Sequence, residues 1–286
     1  MITVEDLRYT YPGGTGETLA GISFEVAAGE VYGLLGPSGA GKSTTQRILM
    51  GLLRGYAGRV ELFGEPVAAL GRKLYERIGV SFELPALYLR LSALENLKLF
   101  AAFYSKPCRD PMEALAEVEL EEAAGQRVEQ FSKGMRMRLN LARSILHDPD
   151  LLFLDEPTTG QDPARARRIR DLILRLKASG KTIFLTTHNM SEAAEVCDKV
   201  GFLARGTIPV SGAPADLMRQ FGRRELDATI LEPPGTRNRV FAMNGLGVNA
   251  EFLGLLTANR IVSMHTREAS LDDVFIAATG TPGPLS

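Results

Sequence analysis

The sequence predicts an α/β fold in which helices flank a mixed β-sheet. Residues 1–83 read as strands followed by a glycine-rich turn and a helix, and residues 147–213 alternate short apolar strands with helical segments. Such alternation is typical of parallel strands connected by helices that cover the sheet. Between these stretches, residues 84–146 have helical spacing and few β-branched residues, which indicates an inserted helical subdomain.

The pattern weakens in the last quarter of the chain. Residues 226–231 and 260–264 form short alternating runs there, with a proline-rich break between them. We therefore predict a main domain over residues 1–214 and a small C-terminal α+β extension over residues 215–286.

Three segments have the apolar spacing of amphipathic helices. They are residues 44–53, 91–103 and 112–124, and Pro107 and Pro111 separate the last two. The first of these helices directly follows the glycine-rich turn, which places its N-terminus at that turn.

The composition is that of an ordinary globular protein. The 286 residues are 45% hydrophobic and 23% charged, with a formal net charge of −1, so a sizeable core is expected. This balance argues against a dedicated nucleic-acid binder, which usually carries a basic excess. The dense basic cluster formed by Arg165, Arg167, Arg168 and Arg170 lies beside apolar residues and fits the solvated face of an amphipathic helix.

The sequence gives no clear sign of a membrane-spanning segment or of a disulfide bond. No apolar window reaches the length of about 18 residues that a membrane span needs, so any membrane role is expected to be peripheral. The N-terminus does not resemble a signal peptide. Cys108 and Cys197 lie in no paired motif, which predicts free thiols in a reducing compartment.

A glycine-rich loop carries the strongest functional signal. It follows the apolar strand of residues 31–35, precedes a helical segment and matches the pattern G-x-x-x-x-G-K-[ST] in full. Its residues are Gly36, Pro37, Ser38, Gly39, Ala40, Gly41, Lys42 and Ser43, and Thr44 continues into the helix. The loop and its context predict the core of a P-loop NTPase.

The residue types of this loop suit a nucleoside triphosphate. Glycines let the backbone N–H groups point at phosphate oxygens, and the following helix presents its positive end to the same anion. Lys42 supplies a charge to the β- and γ-phosphates, and the Ser43 hydroxyl can ligate Mg²⁺.

A second apolar strand ends in two acidic residues. Residues 151–154 are apolar, and Asp155 follows at the place where a carboxylate reaches Mg²⁺ beside a phosphate loop. Glu156 comes next and is expected to point towards the γ-phosphate, where it could polarise a water molecule. Apolar strands often end in acidic residues, so the preceding phosphate loop gives this motif its weight.

His188 follows a third apolar strand, residues 182–187. Parallel strands in such sheets end at the ligand-binding edge, so we expect His188 near the same phosphates. A lone histidine at a strand end is usually incidental, but the neighbouring motifs favour a functional role here.

A polar residue begins the last helix of the insertion. Ser132 reads as its N-cap, and Leu139, Ala142 and Ile145 line one face of the helix. The Ser132 hydroxyl, the Gly134 amide and the helix dipole could bind a second anion. A capped helix start needs no ligand, so these residues alone leave both readings open.

In their order along the chain, these motifs resemble those of ABC ATPases. The phosphate loop is followed by the signature segment at residues 131–139, the acidic strand, a D-loop at residues 158–162 and the switch histidine. Tyr11, 25 residues before Gly36, matches the aromatic residue that stacks on adenine in that family. The resemblance covers residues 1–215.

The resemblance implies an ATPase that works as a head-to-tail dimer with ATP and Mg²⁺ as cofactors. In that arrangement Ser132 and Gly134 of one subunit close over ATP held by the phosphate loop of the other, and Asp162 of the D-loop belongs to the same nucleotide site. Glu156 and His188 are the implied catalytic residues. A separately encoded transmembrane permease is the implied partner, and it would hold the chain peripherally at the cytoplasmic side of the membrane.

Two regions depart from the commonest pattern of the family. The signature has Lys133 and Met135 where many members have Gly and Gln, and Glu83 replaces Gln at the Q-loop position. Both variants resemble the branch whose ATPases drive exporters with ABC-2 type permeases, as does the ending at residues 270–275. Glu83 can still face Mg²⁺ or the attacking water, so we assign it to metal binding and to catalysis.

Other functions are less well supported. ABC ATPases of translation or DNA repair usually carry two cassettes or a long coiled coil, and neither feature is present. A catalytically inactive cassette is disfavoured because Glu156 and His188 are both present, and an importer subunit is the remaining alternative. Residues 84–96 are expected to form part of a groove for a permease, although some of their apolar side chains would pack the insertion instead.

Overall fold

The structure, a computed structural model, describes residues 1–222, 225–267 and 269–280. The chain folds as two compact units, Met1–Pro214 and Ala215–Ser286. The strands of the first unit are β1 (Ile2–Tyr9), β2 (Leu19–Val26), β3 (Val31–Leu35), β4 (Ala57–Leu62), β5 (Glu65–Pro66), β6 (Ile78–Ser81), β7 (Leu151–Asp155), β8 (Thr182–Thr187), β9 (Lys199–Ala204) and β10 (Thr207–Gly212). Its helices are α1 (Lys42–Leu49), α2 (Val67–Leu70), α3 (Ala93–Ala101), α4 (Pro111–Glu117), α5 (Lys133–Ile145), α6 (Pro163–Ala178) and α7 (Met190–Val196).

A six-stranded mixed sheet of order β10-β9-β3-β8-β7-β6 forms the centre of the first unit. Its neighbouring strands are parallel except for β10, which pairs antiparallel with β9. Every residue of β3, β7 and β8 is buried, as expected for parallel strands that are covered on both faces. Because parallel strands end at the same edge of a sheet, the residues that follow β3, β7 and β8 are brought together. The predicted α/β fold class with a mixed sheet is confirmed.

A second, antiparallel sheet of order β2-β1-β4-β5 packs against the first through a shared core. An aromatic stack crosses the interface between the sheets. The ring of Phe24 in β2 lies 5.1 Å from that of Tyr32 in β3, and Tyr32 lies 5.8 Å from Phe184 in β8. Both contacts are nearly parallel, with interplanar angles of 15° and 17°, so the rings fill the core as a continuous column.

The helix after the glycine-rich turn is shorter than the spacing predicts. It ends at Leu49, because Gly51 adopts a left-handed φ of 70° and turns the chain away. The prediction that Leu52 belongs to this helix is therefore wrong, and its side chain is exposed.

Two helices of the insertion also differ in length from the prediction. Helix α3 begins after a capping box in which Ser92 and Glu95 satisfy each other's backbone N–H groups. Helix α4 ends at Glu117 because Glu119 adopts a left-handed φ of 57°, so the prediction of a helix through residue 124 is wrong. The apolar residues beyond it, such as Leu120, are buried without being helical.

The second unit contains β11 (Glu225–Glu232), β12 (Gly235–Ala242) and β13 (Ile261–Arg267) in one antiparallel sheet of order β12-β11-β13. Its helices are α9 (Ala250–Thr257) and α10 (Leu271–Thr279), and α8 (Pro214–Phe221) begins at the boundary between the units. A small core combines alternate residues of β11 with side chains of β12 and α9, namely Leu226, Ala228, Ile230, Phe241, Phe252 and Leu255.

Among the described residues, no helix is both long enough and apolar enough to span a bilayer. Both cysteines are free, with Cys197 buried and Cys108 half-buried.

Gly79 sets how closely α5 lies on the sheet. A β-carbon at this position of β6 would overlap the backbone carbonyl of Ser144 in α5 and approach the ring of Pro149 to 2.9 Å. The helix therefore rests directly on the strand backbone, which a side chain would prevent.

We expect Gly79→Ala to lower the free energy of unfolding by about 1–3 kcal/mol, the usual cost of overpacking a well-filled core. Thermal and urea unfolding of the purified protein measure this effect. Gly125→Ala is the matched control, because a β-carbon there meets no atom within 4 Å. Equal stability of the two variants would contradict the close seating of α5.

Candidate active site

A cleft of about 450 Å³ opens at the carboxyl edge of the central sheet. It collects residues from the glycine-rich loop, the start of α1 and the ends of the parallel strands. Its lining residues are Tyr11, Thr18, Ser38, Gly39, Gly41, Lys42, Ser43, Thr44, Glu83, Asp155, Glu156 and His188. The volume lies within the range of roughly 300–1,000 Å³ that small-molecule sites usually have.

The glycine-rich loop requires glycine at two positions for steric reasons. A β-carbon at Gly36 would overlap the carbonyl oxygen of Leu203. Gly41 has a left-handed φ of 112°, and a β-carbon there would lie 2.8 Å from Leu19. Gly41 is also the N-cap of α1 and offers no side-chain cap, so the first N–H groups of this helix face the cleft without a capping partner.

Lys42 is buried at the bottom of the loop. Its ammonium donates hydrogen bonds to the carbonyl oxygens of Gly36 at 2.7 Å and Pro37 at 3.1 Å. Burial lowers the pKa of Lys42, and the nearby carboxylates of Glu156 and Asp155 oppose that shift. An ammonium held in this way is a fixed positive charge for an incoming phosphate.

Asp155 ends β7 and is buried beside Thr186, whose hydroxyl donates to the carboxylate at 2.5 Å. Burial raises the pKa of Asp155, the Thr186 hydrogen bond opposes this, and the carboxylate of Glu156 raises the pKa further. A bound cation would favour the ionised form.

The donor set fits Mg²⁺ with few protein ligands. Asp155, Ser43 and Glu83 supply carboxylate and hydroxyl oxygens to the same cleft, and such oxygens are the ligands that Mg²⁺ prefers. Over the described ranges, no three acidic, histidine or cysteine side chains form a ready-made metal cluster. Mg²⁺ is usually bound by one or two carboxylates together with substrate phosphates and water, and this cleft supplies the carboxylates of Asp155 and Glu83.

Glu156 is held on both carboxylate oxygens. Its Oε1 accepts from the Nδ1–H of His188 at 2.7 Å and from the backbone N–H of His188 at 3.1 Å. Its Oε2 lies 3.2 Å from the Thr187 hydroxyl and 3.4 Å from that of Thr159. The backbone of Glu156 has a positive φ of 49°, a strained conformation that is typical of functional sites.

His188 is oriented by this contact. Because Nδ1 carries the hydrogen donated to Glu156, Nε2 of the neutral ring is left with a lone pair. About half of the side chain is exposed, so the ring borders the opening of the cleft.

Glu83 lies just beyond β6, and α5 fixes this end of the strand. The buried amide of Asn140 donates to the Phe82 carbonyl at 2.8 Å and to the Ser81 hydroxyl at 3.1 Å. The helix that begins at the signature segment therefore holds the backbone next to Glu83.

Tyr11 lies at the mouth of the cleft. Its hydroxyl is 3.1 Å from the Thr44 hydroxyl, and its ring packs edge-on against Tyr9 at 5.0 Å. More than a third of the residue is exposed, which leaves ring surface for a flat ligand.

Six of the predicted nucleotide-binding residues do not line this cleft: Gly36, Pro37 and Ala40 of the glycine-rich loop, and Ser132, Gly134 and Asp162 further along the chain. Ser132 caps α5 by accepting from the Met135 N–H at 3.2 Å, and Asp162 caps α6 and pairs with Arg165 at 2.7 Å. The carbonyl of Gly134 accepts from the Gln161 side chain at 3.1 Å. Within one copy of the chain, the signature segment and the D-loop thus contact each other rather than the cleft.

The sequence reasoning missed the residues that support the two acidic side chains. Thr186, Thr187 and Thr159 hold Asp155 and Glu156, and Thr18 lines the cleft. The threonine pair at the end of β8 was visible beside His188, but threonine at a strand end is too common to indicate a role. No sequence signal pointed to Thr18.

Comparisons with known proteins agree with these features. Residues 19–159 match the family model described as ABC transporter. A fluoroquinolones export ATP-binding protein of Mycobacterium tuberculosis is 47% identical over 281 residues, which cover 98% of this chain and 93% of the relative. The Nod factor export ATP-binding protein I of a Rhizobium species is 36% identical over 91% of each protein.

Solved structures give the same result. The ATP-binding subunit of an ABC transporter superposes with a TM-score of 0.70 at 30% identity, over 77% of this chain and 93% of that chain. A dimeric ATP-binding cassette in a post-hydrolysis state, bound to ADP and phosphate, superposes with a TM-score of 0.68 at 26% identity, over 74% and 98% of the two chains.

We expect Lys42→Ala to weaken nucleotide binding by about 1.5–3 kcal/mol, because the phosphates lose a charged hydrogen-bond donor. This corresponds to a roughly ten- to hundredfold rise in the Kd for ATP, measurable by isothermal titration calorimetry. Lys98→Ala, at an exposed position of α3, is the control and should bind normally. Near-normal affinity of Lys42→Ala would refute the assignment of the phosphate loop.

Proposed function

The chain belongs to the ABC transporter family, and on that basis we propose that it is the ATP-hydrolysing subunit of an exporter whose transmembrane permease is a separate protein. The observation that carries the ATPase assignment is the meeting of Lys42, Asp155, Glu156 and His188 in one cleft. Export is proposed because the relatives from Mycobacterium tuberculosis and Rhizobium, which match nine-tenths or more of the chain, are named for export.

ATP would lie with its phosphates on the glycine-rich loop and its base at the mouth of the cleft. The free N–H groups at the start of α1 and the ammonium of Lys42 suit the β- and γ-phosphates. The exposed ring of Tyr11 offers a stacking surface to adenine. Ser43, Asp155 and Glu83 would hold Mg²⁺, which when bound neutralises charge on the β- and γ-phosphate oxygens.

Glu156 is the proposed base for hydrolysis. Water attacks the γ-phosphorus, the bond from phosphorus to the bridging oxygen of ADP breaks, and a water proton passes to the Glu156 carboxylate. The products are ADP, inorganic phosphate and a proton. His188 fixes the direction of the carboxylate through Nδ1 and leaves the lone pair of Nε2 to accept a hydrogen bond from the attacking water. Glu83 faces the same space and is the proposed second acidic contact to the metal ion or the water.

A second copy of the chain would complete the site. Ser132, Gly134 and Asp162 do not line the cleft of their own copy, so their proposed contacts with nucleotide require a neighbouring subunit. A head-to-tail homodimer supplies them and leaves each ATP between two chains. ATP would then stabilise the closed pair by binding it better than the open subunits.

An aromatic row on the insertion is the proposed contact for the permease. The row consists of Tyr88, Phe100 and Phe103, and the ring centroid of Phe100 lies 6.0 Å from that of each of the other two. Tyr88 and Phe103 are half-exposed or more. Exposed aromatic side chains of this kind are typical of interface hot spots. Leu84, which comes just before the row in the chain, is 80% exposed.

A hydrogen-bonded link joins the aromatic row to a neighbouring groove. The carboxylate of Glu76 accepts from the Ser105 N–H at 3.1 Å and from its hydroxyl at 2.9 Å, two residues beyond Phe103. Next to Glu76, Tyr75 lines a groove of about 190 Å³ together with Leu53 and other residues. We propose that the groove and the aromatic row together receive the permease, which would keep the chain at the cytoplasmic side of the membrane.

We expect Glu156→Gln to bind ATP but to hydrolyse it roughly 10²–10⁴-fold more slowly, because an amide cannot accept the proton. Removing a negative charge that faces the γ-phosphate also favours the closed pair. Phosphate release measures turnover, and size-exclusion chromatography with ATP, with and without Mg²⁺, detects the dimer.

Glu122→Gln, at an exposed position of the insertion, is the control and should retain wild-type turnover. Wild-type turnover of Glu156→Gln would reject Glu156 as the base and make Glu83 or His188 the next candidate. An inactive variant that remains monomeric with ATP would leave the base in place but contradict nucleotide-driven pairing of the isolated subunit.

We expect Tyr88→Ser combined with Phe103→Ser to reduce the membrane-bound fraction of the chain in its own cells while the ATPase rate of the purified subunit stays unchanged. Loss of one hot-spot aromatic costs about 2 kcal/mol, or roughly thirtyfold in affinity. Fractionation and immunoblotting measure the distribution. Leu174→Ser, an equally apolar exposed position on α6, should remain with the membrane. Unchanged fractionation of the aromatic variant would exclude this surface.

A further inference from the structure

Glu192 is a buried acidic residue that the proposed hydrolysis does not use. It lies in the first turn of α7 with 1% of its surface exposed. Its Oε1 has no hydrogen-bond partner within the described part of the chain. An ionised carboxylate in such a place would be costly, since a buried charge needs a counter-charge or full hydrogen bonding.

The second oxygen of Glu192 reaches the active site through threonine. Its Oε2 lies 3.0 Å from the Thr158 hydroxyl and 3.2 Å from the Thr187 hydroxyl. The Thr187 hydroxyl oxygen is also 3.2 Å from Oε2 of Glu156. Two carboxyl groups therefore share one hydroxyl.

The hydrogen bonds that Thr187, Glu156 and Glu192 can form together depend on how many hydrogens these side chains carry. The Thr187 hydroxyl has one hydrogen, so it can donate to Glu156 or to Glu192 but not to both. Its oxygen already accepts from the Asn189 N–H at 3.0 Å and has one further lone pair. If Glu192 carries a proton on Oε2, it donates to that lone pair, and the Thr187 hydrogen is free to donate to Glu156. An ionised Glu192 would instead compete with Glu156 for the same hydrogen.

We propose that Glu192 is held as a neutral carboxylic acid and, through Thr187, directs a hydrogen bond onto Glu156, so that it acts as a positioning residue for the catalytic carboxylate. The inference rests on the proposed ATPase function, since it explains how the proposed base is oriented. Oε1 of Glu156 is held by His188, and Oε2 is held by the chain from Glu192 through Thr187.

The electrostatic surroundings favour the protonated form of Glu192 at pH values up to about 7. Burial raises its pKa to about 7, the hydroxyls of Thr158 and Thr187 oppose the shift, and the carboxylate of Glu156 adds to it. The guanidinium of Arg170 in α6 also opposes the shift, and the buried thiol of Cys197 at the end of α7 is a further titratable group that interacts with Glu192. Neutrality also keeps a further negative charge away from a site where Asp155 and Glu156 are already buried.

The same residue holds the start of the D-loop. Thr158 donates to Glu192, and three residues later Gln161 donates to the carbonyl of Gly134 in the signature segment. The loop between the acidic strand and α6 is therefore fixed at one end by Glu192 and at the other by the signature segment.

The test compares Glu192→Gln with Glu192→Ala. Glutamine is neutral at every pH and can donate to Thr187, so its kcat should remain within about twofold of wild type. Alanine removes the donor, so kcat should fall roughly ten- to a hundredfold through misplacement of Glu156, with the KM for ATP unchanged. Glu122→Gln is the control: it makes the same change at an exposed position of the insertion and should match wild type.

A folding measurement tests the protonation independently of activity. A carboxyl group with a pKa of about 7 in the folded protein and about 4.5 when unfolded stabilises the fold fully below pH 4.5 and loses that contribution as the pH rises to 7. Within this window each pH unit lowers the folding equilibrium constant by up to about tenfold. Thermal unfolding across pH 4.5–8 should therefore show wild type losing stability relative to Glu192→Gln up to about pH 7 and running parallel above it.

Three outcomes overturn the proposal: a Gln variant as slow as the Ala variant, an Ala variant as fast as wild type, or wild-type and Gln unfolding curves that run parallel from pH 4.5 to 7. The first shows that the negative charge is needed, and the third shows that Glu192 is ionised throughout. If Glu192→Ala does not fold, the Gln variant and the pH series still decide. Failure of the wild-type chain to hydrolyse ATP would refute the proposed function instead, and the unfolding comparison would still report on the proton.

Discussion

Buried negative charge is the constraint on which the organisation of this site depends. Asp155 and Glu156 are both nearly inaccessible, and the ammonium of Lys42 faces them from the other side of the cleft. Two adjacent carboxylates in such a place repel each other and lose hydration, so each needs fixed donors. Thr186 serves Asp155, and the backbone and ring of His188 serve Glu156. A triphosphate with its cation would enter a site whose donors are already aligned, which is the preorganisation that electrostatic catalysis requires.

The parallel sheet gathers these residues at one edge. The loop after β3, the acidic pair at the end of β7 and the histidine after β8 come from distant parts of the sequence. Adjacent parallel strands bring their carboxyl ends to one edge, so each strand contributes one or two functional residues. The second sheet contributes differently: its core holds the column of Phe24, Tyr32 and Phe184, which stiffens the strands that carry the site.

The fold class and many of the cleft residues could be predicted from the sequence, because both depend on local sequence patterns. Apolar strands that alternate with helices predict a helix-flanked sheet, and the glycine-rich loop has few alternative explanations. Helix ends were less predictable, because left-handed turns at Gly51 and Glu119 override the apolar spacing. The four-stranded second sheet and the supporting threonines could not be predicted either, since both depend on long-range pairing. Glu192 lies in an ordinary helical pattern, and only its burial and its neighbours distinguish it.

The contact of α5 with β6 has a mechanical consequence. Because Gly79 lets the helix rest on the strand backbone, and Asn140 ties it to the Phe82 carbonyl, α5 cannot slide along β6 without breaking close contacts. Helix α5 has Ser132 at its N-terminus, and its contact with β6 lies next to Glu83. The signature end and the acidic edge of the cleft are therefore tied to one closely packed piece of structure, so the position of one constrains the position of the other.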